Sequence, residues 1–244
     1  MFRHEGPARS PRANAILAGY LAFVAGFVNS GGFVLIGSFT SHVTGSVGRL
    51  STDVARGDLG AAFFAALLVA TFFLGSLAAS LLLEGPGPMP RAYGTALFFE
   101  GLLLASFIFV AGLSQTTHPR LRDAEAAILC AAMGMQNSLV TRLSGAVVRT
   151  THLTGVITDL GIEAAHWVRW RVRRQRGANQ AEKPAPTGAR MLLLLTIATT
   201  FTFGALLGAT LTALASRWAM VAPACAVWAA ATYAWLQRPA PAVD

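Results

Sequence analysis

Charged residues are scarce in this chain of 244 residues: they make up 12% of it, against 54% hydrophobic residues. That share is about half of the roughly 25% usual in a soluble domain. The apolar residues are gathered into long uninterrupted blocks rather than spaced at helix or strand periods, a pattern typical of segments that cross a bilayer. The composition therefore excludes an ordinary soluble domain and predicts a single membrane domain.

Cysteine is also scarce, and a cleavage signal is missing. Cys130 and Cys225 lie far apart, each inside an apolar block, so we expect packing roles rather than a disulfide framework. The first 14 residues are polar and carry three arginines, as the start of a signal peptide does. No A-x-A site closes the apolar run 15–36, however, so we interpret this run as a retained first helix.

The formal charge of +8 comes from basic residues that lie between the apolar blocks, most densely at Arg169–Arg176. No soluble module could present them to nucleic acid, so we predict no nucleic-acid partner. The placement instead indicates cytoplasmic loops under the positive-inside rule. With a cytoplasmic N-terminus, 14 of the 19 basic residues lie inside, and the C-terminus is cytoplasmic too.

Six segments reach the span length of about 20 apolar residues. They are 15–36, 59–83, 92–113, 124–141, 190–215 and 218–237. Two shorter segments, 42–56 and 152–168, carry charges along their length, and we interpret them as half-helices that do not cross. The predicted organisation is a tail at 1–14, one transmembrane domain at 15–238 with a basic cytoplasmic loop at 169–190, and a tail at 239–244.

Self-comparison indicates a duplication. The aligned segments are 26–30 with 134–138, 40–45 with 150–155 and, more weakly, 72–75 with 201–204. The predicted fold class is therefore all-α, a polytopic transmembrane helix bundle of two repeats, 15–113 and 124–237. Each repeat has three spans plus one short half-helix, and an odd number of spans makes the repeats inverted. An eight-span version gives the same charge split; the charges in the short segments favour six.

Asn29 and Asn137 occupy aligned positions inside spans, each among small residues that let helices approach closely. Either the two amides form interhelical hydrogen bonds, or they line a site at the membrane midplane. Glu100 lies near the middle of the third span, where an ionisable side chain is costly. It is a functional candidate that faces the bundle interior, or else a protonated packing residue.

Both repeats carry the motif T-[ST]-H-[VL]-T-G just before the half-helix. Its candidate binding residues are His42, Thr44 and Gly45 in the first copy and His152, Thr154 and Gly155 in the second. A Thr or Ser before a helix can cap its free N–H groups, and a helix N-terminus beside an imidazole attracts anions or carboxylates. The alternative is that both histidines are cap and packing residues.

Asp159, Glu163 and His166 follow at helical spacing and share one face of the second half-helix. Asp159 is therefore a further ion-binding candidate. The first copy has Arg49, Asp53 and Arg56 in their places, which argues against a symmetric metal site and for an ion-paired or solvated face. We predict no metal and no cofactor.

With these motifs in view, the chain resembles the YoaK-like family of bacterial integral membrane proteins, a family of unknown function. The matching stretches are GFVNSGGF, SHVTGSVGRL, GMQNSLVTRLSGAVVRTTHLTGVITDLG and FGALLGA, which together cover most of the chain. The chain departs from the family at Asn29, where aspartate is common, and at Ser46, where asparagine is. The resemblance implies a multi-pass protein of the bacterial inner membrane and names no substrate.

Three functions follow as hypotheses. The leading one is a small secondary transporter or permease for an unknown solute or ion, based on the duplicated half-helices, Glu100 and the paired asparagines. The second is a membrane enzyme that uses His42 or His152 with a carboxylate, although no spacing matches a known catalytic motif. The third is a structural or regulatory membrane partner that acts through the basic loop.

Overall fold

The computed structural model describes residues 11–114, 119–143, 151, 153–175 and 188–237, and every regular element within these ranges is helical. The helices are α1 (Pro11–Ile36), α2 (Val43–Ala55), α3 (Leu59–Glu84), α4 (Met89–Ser114), α5 (Pro119–Leu143), α6 (Leu153–Gln175), α7 (Gly188–Ala215) and α8 (Val221–Leu236). A short 3₁₀ segment, Ser216–Met220, joins the last two. The predicted all-α class is confirmed for the described residues.

Local chemistry sets several helix ends. After α1, Gly37 adopts a φ of 79° and its N–H donates to the Phe33 carbonyl at 2.8 Å, a left-handed cap that suits a residue without Cβ. Asp58 begins α3 by accepting a hydrogen bond from the Ala61 N–H at 3.0 Å. Ser216, with a φ of 52°, interrupts the helical run between α7 and α8. That run therefore consists of two helices.

Four helical segments are long and apolar enough to cross a membrane. They are Ala13–Ile36, Leu59–Glu84, Met89–Leu113 and the continuous run Gly188–Leu236, which contains both α7 and α8. The predicted span 124–141 lies in α5 and is not among the four, because Glu125, Gln136 and Asn137 dilute its apolar character. The chain thus has the helices of a multi-pass membrane protein.

The two short segments differ in length. Helix α2 has 13 residues and reaches about 20 Å, less than the bilayer core of about 30 Å. Helix α6 has 23 residues, so the prediction of a half-helix over 152–168 is wrong in length. Its helix continues into the predicted loop 169–190 as far as Gln175. Arginine is a good helix former, and no glycine or proline interrupts this stretch before Gly177.

The helices pack in pairs around a buried core. Helix α1 lies along α7, α3 along α5, and α4 against both α8 and α5, while α2 packs on α3 and α6 on α7. Large apolar side chains remain on the outside, among them Phe63, Phe73, Phe109 and Leu206. Such a surface is unfavourable in water and suits contact with lipid.

Glycine permits the close approach within the two main pairs. A Cβ on Gly26 of α1 would collide with the Phe201 carbonyl of α7, and a Cβ on Gly134 of α5 would collide with the Phe72 carbonyl of α3. The partner helices make the reciprocal contacts: Gly204 of α7 lies against the Phe23 carbonyl of α1, and Gly75 of α3 lies against the Ala131 carbonyl of α5. Both pairs therefore bring backbone against backbone, as small residues allow in membranes.

Within these pairs the helices run parallel. Gly19 of α1 lies beside Thr196 of α7, and further along Gly31 lies beside Thr212. Between α3 and α5, residue numbers also increase together from one contact to the next: Phe72 with Gly134, Ser80 with Ser138, and Glu84 with Arg142.

Two other helix pairs run antiparallel. Contacts between α4 and α8 are Gly94 with Trp235 and Gly101 with Trp228, and Gly112 near the end of α4 lies beside Arg217 of the segment just before α8. Contacts between α1 and α5 are Gly32 with Leu129 and the Leu21 carbonyl with the Gln136 amide. These opposed directions bear on the number of times that the chain can cross a membrane.

Candidate functional site

The first motif is held to α1 by Asn29. The Asn29 Oδ1 accepts hydrogen bonds from the Ser41 N–H at 3.2 Å and from the Ser41 hydroxyl at 3.0 Å. This bond closes the turn between α1 and α2. The prediction that a motif Thr or Ser caps α2 is wrong, because Ser41 bonds to Asn29 and the N-cap position is His42, which makes no side-chain cap.

The second asparagine makes the corresponding bond. The Asn137 Oδ1 accepts a hydrogen bond from the Thr151 hydroxyl at 2.5 Å, and its Nδ2 donates to the Met133 carbonyl at 2.9 Å. His152, the second motif histidine, lies outside the described residues. Thr154 and Gly155 are exposed on the first turn of α6. In both copies, therefore, the asparagine binds the residue that precedes the motif histidine.

His42 lies beside a small cavity at the start of α2. A Cβ at Gly45 would lie 3.0 Å from the His42 Nδ1, and the imidazole meets the Phe39 ring edge-on, with 6.2 Å between ring centroids. The cavity has a volume of about 200 Å³, and Ser46 and Arg49 supply further polar groups. Thr44 is exposed and does not line it. The first motif therefore borders a small pocket whose lining combines apolar side chains with a few polar groups.

Asp159 and Glu163 form an ion-paired face. Arg190 of α7 lies 3.4 Å from Asp159 and 3.3 Å from Glu163, whose side chain is buried, and so ties α6 to α7. In the first copy Arg49 pairs with the buried Asp53 at 3.5 Å. These contacts correspond to the ion-paired alternative rather than to a metal site.

The described residues contain little that could support metal binding or enzyme catalysis. They contain no group of three or more His, Cys, Asp or Glu side chains that could hold a metal ion. His166 is exposed on α6. The His42 imidazole lies edge-on to the Phe39 ring, and no carboxylate of the described ranges hydrogen-bonds to it. Among the described residues, His42 thus has no carboxylate with which to form an acid–base couple.

Glu100 is the most unusual side chain of the described bundle. It lies near the middle of α4 and is fully buried, and neither of its carboxyl oxygens has a hydrogen-bond partner among the described residues. Tyr20 of α1 lies within electrostatic range, yet its hydroxyl donates to the Ala226 carbonyl of α8. A buried polar group without partners costs free energy, so this arrangement needs a reason.

Gln136 adds a second unsatisfied group at the same level of α1. It is fully buried on α5, its Nε2 donates to the Leu21 carbonyl at 3.2 Å, and its Oε1 has no partner among the described residues. We name Tyr20, Glu100 and Gln136 the central polar cluster. The sequence reasoning missed Tyr20 and Gln136 as site residues; the available signal was a polar side chain within an apolar span.

Asn29 is expected to stabilise the α1–α2 turn. In Asn29→Ala the Ser41 N–H loses its acceptor, which costs about 1 kcal/mol or more. We expect a melting temperature several degrees lower in detergent, followed by size-exclusion chromatography after heating. Asn29→Asp keeps the accepting oxygen and serves as the matched control, with near wild-type stability. Equal losses in both variants would contradict this role.

Comparison with known proteins places these features in a family. A family model described as "Protein of unknown function (DUF1275)" matches residues 17–233, which include all eight helices wholly or in large part. Neither the comparison with curated proteins nor the comparison with solved structures found a match. The YoaK-like name stays a prediction.

Proposed function

Since this chain belongs to the DUF1275 family, whose function is unknown, we propose its function from geometry: it is a small secondary transporter or permease. In this proposal it crosses the membrane six times as two inverted repeats. A small solute or ion passes the central polar cluster, where Glu100 is the coupling or gating residue. The observation that carries the proposal is the buried Glu100 carboxyl, which has no hydrogen-bond partner among the described residues.

The helix directions support six crossings. If α2 and α6 stay on one side each, α4 and α8 cross in opposite directions, and so do α1 and α5. If α2 and α6 also crossed, both of these pairs would be parallel. The contacts of both pairs run antiparallel, as six crossings require. Because α1 and α5 begin the two proposed repeats, their opposition also supports the inverted arrangement.

Equivalent contacts support the duplication. Aligned residues make the same bond in Asn29 with Ser41 and in Asn137 with Thr151. The backbone contacts of Gly26 and Gly134 are equivalent as well, since each meets the carbonyl of an aligned phenylalanine. Such agreement at several aligned positions is expected of two copies that share one fold.

The position of Glu100 suits a transport site. It lies at mid-height of α4, between helices that belong to different proposed repeats, where inverted-repeat transporters place their substrate and coupling-ion sites. An ionised carboxylate there would be buried without a paired cation, so the resting form is protonated. Entry of water, a cation or a solute group would let the proton leave. Glu100 can thereby link proton release to passage.

The tight helix pairs suggest what moves. Helices α1 and α7 form one backbone-packed unit and α3 and α5 another, each combining one helix from each proposed repeat. Packed glycine contacts resist sliding, so the two units would rock as rigid bodies. Rocking about the central polar cluster would expose Glu100 to one side of the membrane at a time.

Transport is tested with the purified chain in liposomes that enclose a pH-sensitive dye. Small organic acids, amino acids, inorganic anions and monovalent cations are added singly under an imposed proton gradient. We expect at least one solute to change the internal pH in wild type, and Glu100→Gln to reduce that change to the level of protein-free liposomes.

The matched control is Glu84→Gln, which alters an exposed carboxyl paired with Arg142 at the end of α3. This variant should transport like wild type. The proposal is wrong if wild type moves none of the solutes, or if folded Glu100→Gln transports as fast as wild type.

A further inference from the structure

A groove opens between α4 and α8 toward the outside of the bundle. Its volume is about 490 Å³, within the roughly 300–1,000 Å³ typical of small-molecule sites. The walls are almost entirely apolar and include Phe109, Leu113, Val221 and Trp228. The solvent-facing surface beside it is apolar too, since Phe109 is 70% exposed. In a bilayer such a groove faces acyl chains rather than water.

The positively charged side chain of Arg217 lies at one end of this groove. A Cβ at Gly112 would lie 3.3 Å from the Arg217 Cζ, so the side chain passes close to the end of α4, and its guanidinium lies 5.1 Å from the centroid of the Trp218 ring. Within the described ranges no carboxylate pairs with Arg217. An arginine and a tryptophan at the end of apolar helices are typical of the level of lipid headgroups.

The dimensions match one leaflet. From Ala105 to Leu113 the groove follows α4 for about 12 Å, close to half of the bilayer core of about 30 Å. Arg217 belongs to the segment that joins α7 and α8, and Gly112 to the end of α4, so both lie at a membrane edge. An acyl chain can therefore occupy the walls while its headgroup reaches the guanidinium.

We propose that this groove binds one acyl chain of an anionic phospholipid and that Arg217 pairs with its phosphate. Charge complementarity selects this occupant. Arginine offers a planar, forked set of donors to phosphate, and this one has no protein carboxylate to satisfy it among the described residues. The proposal concerns the lipid-facing side of the bundle and does not depend on transport.

The test is native mass spectrometry of the purified chain after titration with phosphatidylglycerol or phosphatidylcholine of identical acyl chains. We expect one tightly retained phosphatidylglycerol and weaker retention of phosphatidylcholine. Arg217→Gln should weaken retention of phosphatidylglycerol about tenfold, because it removes a charge-assisted hydrogen bond. Arg217→Lys keeps the charge and should restore part of the binding.

Two further variants complete the design. Cys225→Trp fills the groove from its exposed side and should block retention while Arg217 is intact. Arg91→Gln, at the opposite end of α4, is the matched control and should bind like wild type. Equal retention of both lipids, unchanged binding in Arg217→Gln, or a dimer of the chain that excludes lipid would each overturn the proposal.

Discussion

Glu100→Leu is expected to raise the melting temperature of the protein while it abolishes transport. The Glu100 carboxyl is fully buried, and no described group hydrogen-bonds to either oxygen. A buried polar group of this kind costs about 1–3 kcal/mol, and leucine of similar size removes that cost. For a chain of roughly this size, each kcal/mol corresponds to about 2–4 °C in melting temperature. Stability and function should therefore move in opposite directions.

The measurement is thermal unfolding in detergent, read by intrinsic fluorescence, together with the liposome assay. Glu84→Leu is the matched control, because it removes a carboxyl that pairs with Arg142 at 2.9 Å on the surface. It should leave stability unchanged or slightly lower and keep transport. A lower melting temperature in Glu100→Leu would contradict the idea that Glu100 is retained for function at a cost in stability.

Gly26→Ala and Gly134→Ala are each expected to produce a large loss of stability. In each variant the new methyl group would occupy the position of a carbonyl on the partner helix, so the helices must separate. Overpacking of this kind costs about 1–3 kcal/mol, sometimes more. The two sites belong to different helix pairs, α1 with α7 and α5 with α3. The double variant should therefore lose about the sum of the two.

Gly48→Ala makes the same chemical change in open space and serves as the control. No atom lies within 4 Å of a Cβ at that exposed position of α2, so alanine should stabilise the helix by up to about 1 kcal/mol. Melting temperatures of the four variants in one detergent decide the matter. If Gly26→Ala were as stable as Gly48→Ala, close backbone packing would not hold α1 against α7.

The positions of the helices could largely be predicted from the sequence. The apolar blocks placed all six predicted spans close to helices that the structure contains, because hydrophobicity over about 20 residues is a strong local signal. The sequence predicted a helix at the position of α6 but ended it too early, because the basic residues after position 168 were interpreted as a loop. In fact Arg169 to Arg174 continue it.

The candidate site was predicted in part. Asn29, Glu100 and Asn137 stood out because polar residues are rare within apolar runs. The two asparagines accept hydrogen bonds from Ser41 and Thr151, whereas the Glu100 carboxyl has no hydrogen-bond partner among the described residues. The bond from each asparagine to its own motif could not be foreseen, since it depends on how the chain turns after the helix. Tyr20 and Gln136 belong to different helices, and no spacing in the sequence connects them.

The sequence by itself determined that the chain is helical and apolar enough for a membrane, and where its motifs lie. These properties depend on neighbouring residues. Only the tertiary structure decided that Glu100 is buried with no hydrogen-bond partner in the described part of the chain, that Gly26 meets the Phe201 carbonyl, and that α4 runs antiparallel to α8. Each of these depends on contacts between residues far apart in the chain, where packing geometry rather than local composition determines the outcome.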